Sequence, residues 1–117
     1  MGVLDMSITA QALDSVYGRT AAGLRARLES VVDGVWHTVA AAETDSEGYI
    51  MEWHAARLDR GLYRIVFDSD HYFVGLGMNA AYPEITVMFR ILDSVDSYQI
   101  QVTMSPYSYS TFFGSNS

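Results

Sequence analysis

The sequence predicts an all-β fold, an eight-stranded antiparallel two-sheet sandwich carrying one short helix. Three observations lead there. Apolar and polar residues alternate with a period of two along most of the chain, the pattern of strands with one buried and one solvated face. Turn-forming clusters rich in Gly, Asp and Ser break that alternation at short intervals. Only one stretch, around Tyr72, spaces its apolar residues as a helix does. A length of 117 residues, half of them hydrophobic, fits a single domain (1–117) whose core needs no disulfide.

The strands follow in order. From Ser7 to Asp14, Ile8, Ala10 and Ala12 share one face, and Thr9, Gln11 and Leu13 share the other. A turn at Val16-Tyr17-Gly18-Arg19 uses the conformational freedom of its glycine. From Gly23 to Ser30, Leu24, Ala26 and Leu28 alternate with Arg25, Arg27 and Glu29, giving one buried and one solvated face. Val35 to Glu43 is the third strand, and Asp45-Ser46-Glu47-Gly48 is a hairpin-type turn into Tyr49 to Trp53. Gly61 to Phe67 is the fifth strand. The helix covers Asp70 to Leu76, with Tyr72, Phe73 and Leu76 on one side and Gly77 as its stop. Ile85 to Asp93 and Tyr98 to Met104 flank a turn at Asp93-Ser94-Val95-Asp96, and the last strand runs from Tyr107 to about Phe113. Parity alone puts Thr9, Gln11, Leu13, Gln99, Gln101, Thr103, Ser108, Ser110 and Phe112 on outward faces.

Composition narrows the chemistry. There is no cysteine, which excludes disulfides, thiolate metal sites and cysteine nucleophiles. All seven basic residues are arginine, so Schiff-base chemistry on lysine is excluded as well. Fourteen acids against seven bases give a formal charge of -7, no footprint for nucleic acid or anionic lipid. No apolar run is long enough to span a membrane, and Met1-Gly2-Val3-Leu4-Asp5-Met6 lacks the basic flank of a signal peptide, so a cytoplasmic location is expected. His37, His54 and His71 are evenly spaced, which matches no metal-ligand motif, and neither a metal nor a cofactor is expected. His54 is the best placed of the three for a functional role, because it follows the strand that begins at Tyr49. Asp68, Asp70 and His71 could chelate a cation, but a helix N-capped by aspartate accounts for them more simply. Asp14 reads as a turn-stabilising carboxylate.

One run, Ser105-Pro106-Tyr107-Ser108-Tyr109-Ser110-Thr111, resembles the C-terminal signature of the transthyretin and 5-hydroxyisourate hydrolase family. Three further stretches agree in order and spacing: Ala12-Leu13-Asp14 followed by Gly18, Gly61 to Asp68, and Tyr82-Pro83-Glu84-Ile85-Thr86-Val87. The resemblance implies the same sandwich, assembled as a homotetramer (a dimer of dimers) whose channel holds small-molecule sites. It also implies that the outward residues named above, with Tyr49, gather around that channel.

The hydrolase branch uses two histidines, an arginine and a terminal Tyr-Arg-Gly-Ser. In this sequence the corresponding positions are Gln11, Gln99, Tyr49 and Phe112-Phe113-Gly114-Ser115. The transthyretin branch, with lysine and glutamate where Gln11 and Tyr49 stand, is not matched either. Glutamine donates and accepts hydrogen bonds but exchanges no proton near neutral pH, so it cannot replace a histidine in activating water. The expected site has Gln11, Tyr49 and Gln99 as its catalytic residues, with Leu13, Gln101, Thr103, Ser108, Ser110 and Phe112 binding the ligand. Such a wall suits a neutral, largely planar small molecule. The expected activity is a cyclisation, ring-opening or isomerisation in a specialised pathway, assisted by orientation and hydrogen bonding. The absence of lysine beside seven arginines points to a GC-rich bacterial genome. A non-catalytic carrier or sensor and a residual 5-hydroxyisourate hydrolase are the alternatives.

Overall fold

The computed structural model describes residues 7–53, 58–92 and 97–116. Its elements are β1 (Ser7–Asp14), β2 (Arg19–Thr20), β3 (Arg25–Val32), β4 (Val35–Glu43), β5 (Tyr49–Ile50), β6 (Gly61–Phe67), α1 (Ser69–Gly75), β7 (Ile85–Ile91), β8 (Ser97–Met104) and β9 (Tyr109–Asn116). They form two sheets. One runs β2-β1-β8-β9 with β5 also paired to β1, and the other runs β4-β3-β6-β7. The alternation read from the sequence is the alternation of burial: Ile8, Ala10 and Ala12 of β1, Ile85, Val87, Phe89 and Ile91 of β7, and Tyr98, Ile100, Val102 and Met104 of β8 all enter the core. Removal of this apolar area from water, shared between the two inner faces, is the main force holding the sheets together.

Several boundaries and one pairing differ from expectation. β1 and β8 run parallel, with Ile8 opposite Tyr98 and Ala12 opposite Val102, and every other pair is antiparallel. Arg19, expected within a turn, makes a two-residue strand with Thr20, because Leu13 and Asp14 at the end of β1 take the pair as partners. The 45–48 turn is no hairpin between neighbours. It carries the chain from β4 in one sheet to β5 in the other, and the strand it feeds stops at Ile50 rather than Trp53. β3 starts at Arg25 because the residues before it are held elsewhere: Gly23, at φ 73°, donates its N–H to the Thr44 carbonyl, and the Leu24 N–H goes to Thr44 Oγ1. A bulge opposite Leu28 and Glu29 leaves Val39 of β4 without a Cα partner.

The helix is one residue out of register with its expected limits. Asp68 caps it, accepting the His71 N–H, as the N-cap reading required. Phe73 anchors it in the core. The Asp93-Ser94-Val95-Asp96 turn and His54 lie outside the described residues.

Candidate functional site

The outward face of the five-stranded sheet brings together most of the residues singled out in the sequence. Register places Tyr49 beside Gln11, Gln11 beside Gln101, and Gln101 beside Phe112, a single row across β5, β1, β8 and β9. A second row holds Thr20, Leu13, Thr103 and Ser110, and a third holds Thr9, Gln99 and Gly114.

Tyr49 owes its place to Gly48. That residue sits at φ 78°, and its carbonyl accepts the Ala12 N–H at 2.9 Å. A Cβ there would lie 2.6 Å from the Ala12 carbonyl oxygen, so no side chain can stand where β5 meets β1. Asp45 holds the turn from the other side, its Oδ1 accepting the N–H groups of Glu47 and Tyr49 at 2.9 Å each.

At the centre of the face, Gln101 Nε2 donates to Gln11 Oε1 at 2.8 Å. This bond leaves the Gln11 amide nitrogen as a donor and the Gln101 carbonyl as an acceptor side by side. Either orientation of the pair leaves one amide donor and one amide acceptor that the pair itself does not use. The Phe112 ring, 62% exposed, leans over Gly114, where a Cβ would come within 3.1 Å of it. Its apolar edge thus borders the row that holds Gln99. Leu13, Thr103 and Thr20 line an open cavity of about 360 Å³ at one end of the face, together with Asp14, Ser15, Gly18 and Arg19.

Ser108 departs from expectation. It stands before β9, in a turn where its N–H donates to Ser105 Oγ at 3.1 Å and its carbonyl accepts the Ser105 N–H at 2.8 Å. The strand therefore starts two residues later than the alternation suggested, at Tyr109 opposite Met104. Ser110 and Phe112 remain on the face.

Asp14, fully buried, is the turn-stabilising carboxylate expected. Its Oδ1 accepts the Val16 and Tyr17 N–H groups at 2.8 and 3.2 Å, and its Oδ2 accepts the Tyr72 hydroxyl at 2.7 Å. Burial, then the bond to the Asp14 carboxylate, pushes the Tyr72 phenol up to about 12. His71 lies on the exposed side of α1, and His37 is exposed on β4, both away from the amide row.

Sequence reasoning missed a second, larger cleft than the one beside Leu13 and Thr103. This cleft of about 550 Å³ lies between β2, the 45–48 turn and α1, lined by Arg19, Thr20, Ser46, His71, Tyr72 and Leu76 among others. No local spacing could reveal it, since its walls come from three separate segments.

The comparisons with known proteins agree with this architecture. The model of the HIUase/Transthyretin family matches residues 8–114. The 5-hydroxyisourate hydrolase of Salmonella dublin is 33% identical over 104 residues, 88% of this chain and 76% of that protein. The 5-hydroxyisourate hydrolase 2 of Rhizobium meliloti is 31% identical over 116 residues, covering 92% and 95% of the two chains. Among solved structures, transthyretin from Sparus aurata superposes with a TM-score of 0.88 at 26% identity, covering 94% of this chain and 97% of its own. A sea bream transthyretin in complex with thyroxine superposes equally well, at the same identity. With the family model spanning both sheets and the helix, this chain is a member of the HIUase/Transthyretin family.

Proposed function

We propose that the chain binds a neutral, largely planar small molecule on its amide face and promotes a cyclisation, ring-opening or isomerisation there. The observation that carries this reading is the Gln101–Gln11 bond, which leaves one amide donor and one amide acceptor of the pair for a ligand. A lactam or imide edge presents the complementary pair, with the Tyr49 hydroxyl on one side and the Phe112 ring on the other to fix its orientation. None of Gln11, Gln99, Gln101 or Thr103 moves a proton near neutral pH, so the residues available are suited to orienting a ligand and stabilising developing charge. For the same reason the hydrolysis that names the relatives is not the activity proposed here. A specialised bacterial pathway and a cytoplasmic setting are part of the same reading.

The site is completed by assembly. Phe112 and Phe113 are 62% and 42% exposed on β9, an edge strand, which favours burial against other copies. We infer a homotetramer, a dimer of dimers, in which this face lines the channel.

The relative solved with thyroxine supports a carrier as the second reading, since that complex carries a ligand on the same fold. Turnover decides between the two. Fresh 5-hydroxyisourate mixed with the protein is expected to decay at its uncatalysed rate, and catalysis abolished by Gln99→Ala would overturn the reading. A planar lactam such as isatin is expected to bind, with Tyr49→Phe slowing chemistry in an enzyme and sparing affinity in a carrier. A monomeric mass by light scattering at micromolar concentration would remove the channel.

A further inference from the structure

We propose that the cleft between β2, the 45–48 turn and α1 is a second binding site, which takes the oxyanion group of a small organic molecule. Its walls supply the donors that such a group needs: the Arg19 guanidinium, the His71 imidazole and the Ser46 hydroxyl, while the Thr20 hydroxyl donates to the Ser46 carbonyl at 3.3 Å and ties β2 to the turn. An imidazole offers an N–H in its neutral form as well as its protonated form. The planar guanidinium can meet a carboxylate or phosphate with two parallel bonds. Ala22, Gly23, Gly75 and Leu76 form the apolar remainder of the lining, against which an organic body can lie.

Arg19 supplies the cation of this cleft. Arg27 and Arg64 are both bound to Glu29. Arg19, among the described residues, has no carboxylate within ion-pair distance, although the chain carries twice as many acids as bases. Its strand partner is Asp14, but that carboxylate is fully buried and already accepts three hydrogen bonds. The guanidinium instead lies 4.8 Å from the centroid of the Tyr17 ring and is near enough to the Tyr72 hydroxyl to interact with it, and these contacts occupy at most one of its five N–H groups. The Tyr72–Asp14 bond fixes the wall behind it. A cation with ordered surroundings, no carboxylate partner and donors to spare, in a cleft of about 550 Å³, is suited to an anionic ligand.

Carboxylate and phosphate share this chemistry, and titration separates them. Calorimetric titrations with inorganic phosphate and with benzoate, at constant ionic strength in sodium chloride, are expected to give saturable binding of at least one. Which of them binds identifies the source of the oxyanion. Arg19→Gln is expected to weaken that binding at least tenfold. Gly75→Leu, which fills the cleft from α1 where a Cβ meets nothing within 4 Å, is expected to abolish it without touching a donor. Gln11→Ala is expected to leave it unchanged. Absence of binding for both anions, equal affinity in Arg19→Gln, or loss in Gln11→Ala as large as in Arg19→Gln would each overturn the proposal. Because the amide face is assayed with a neutral lactam, failure of one site leaves the other standing.

Discussion

The outward faces of the two sheets have little chemistry in common. On the β4-β3-β6-β7 sheet, charged groups bind one another. Glu29 lies outward yet only 6% exposed, its Oε2 bound to Arg27 Nε at 2.8 Å and its Oε1 to Arg64 Nε at 2.6 Å, with Thr38 donating to Oε2 at 3.2 Å. The Arg64 guanidinium stacks over Trp36 at 4.3 Å, and Arg27 reaches Glu84 at 3.4 Å. The alternation of Arg25, Arg27 and Glu29 marked this as a solvated face. The structure corrects that for Glu29, because two long arginine stems fold over it. On the other sheet, Gln11, Gln99, Gln101 and Thr103 carry no charge, and the Gln11–Gln101 pair leaves a donor and an acceptor that it does not itself use. One face is satisfied internally and contributes to stability. The other leaves a pattern for something else to complete.

That contrast is most exposed to Glu29→Ala. Removing the carboxylate leaves Arg64 without its anion and Arg27 with only Glu84, and the expected loss is about 2–4 kcal/mol in chemical denaturation, moderated because both arginines reach solvent. Glu29→Gln keeps the shape and adds a pH signature. Burial opposes the charged carboxyl, but the bonds from Arg27 and Arg64, together with their charges, outweigh it and hold Glu29 below the ordinary carboxylate value. A depressed folded pKa makes the unfolded chain the stronger proton binder. The contribution is therefore fully present above roughly pH 4.3 and lost as pH falls through the folded value. Stability of the native protein should drop more steeply in that acidic window than that of Glu29→Gln. Parallel curves would show that Glu29 is not held as the structure places it.

A smaller effect is expected where the two sheets are tied together. The Tyr72 hydroxyl joins α1, which connects two strands of the charged sheet, to Asp14 at the end of β1 in the amide sheet. Tyr72→Phe leaves one acceptor of a buried carboxylate without its partner, at a cost of about 1–2 kcal/mol. The phenol is raised to about 12 in the folded protein, above the value near 10 of an unfolded chain. Its contribution is present below about pH 10 and disappears as pH climbs toward 12. In a spectroscopic titration, Tyr72→Phe should remove a late-ionising phenol. If it removes one that ionises with the exposed tyrosines, the Asp14 bond is not formed.

How far the sequence alone reached depended on the distance over which each feature is encoded. β1, β7 and β8 were legible because each residue's burial follows from its neighbours two positions away. Asp68 and Asp14 were legible because a cap or an Asx-type turn is a matter of three residues. The parallel pairing of β1 with β8 was not, since alternation says which side a residue takes and nothing about its partner. Glu29 and Arg64 meet 35 positions apart, and Gln11 and Gln101 meet 90 apart. The positions of the amide row came from the family resemblance together with parity. The bond between those two glutamines came only from the fold. Ser108 was misplaced because a side-chain bond to Ser105 stops the alternation without altering its pattern.

The smallest effect on the fold, and the sharpest test of the contrast, belongs to Gln101→Ala. It deletes the donor to Gln11 at a half-buried position, where either amide can turn to water, so the loss of stability should stay within about 1 kcal/mol. Lactam binding should suffer more. The unused acceptor is gone and Gln11 no longer has a fixed orientation, so an affinity loss of roughly tenfold is expected, about 1.4 kcal/mol. Because Gln11, Gln99, Gln101 and Thr103 do not titrate, the binding of a neutral ligand by the native protein should be flat from about pH 5.5 to 8.5. A bell-shaped profile centred near pH 6.5 would place a histidine in the site. A Gln101→Ala protein that unfolds readily yet binds normally when stabilised would reverse the roles assigned to the two faces, making the amides structural.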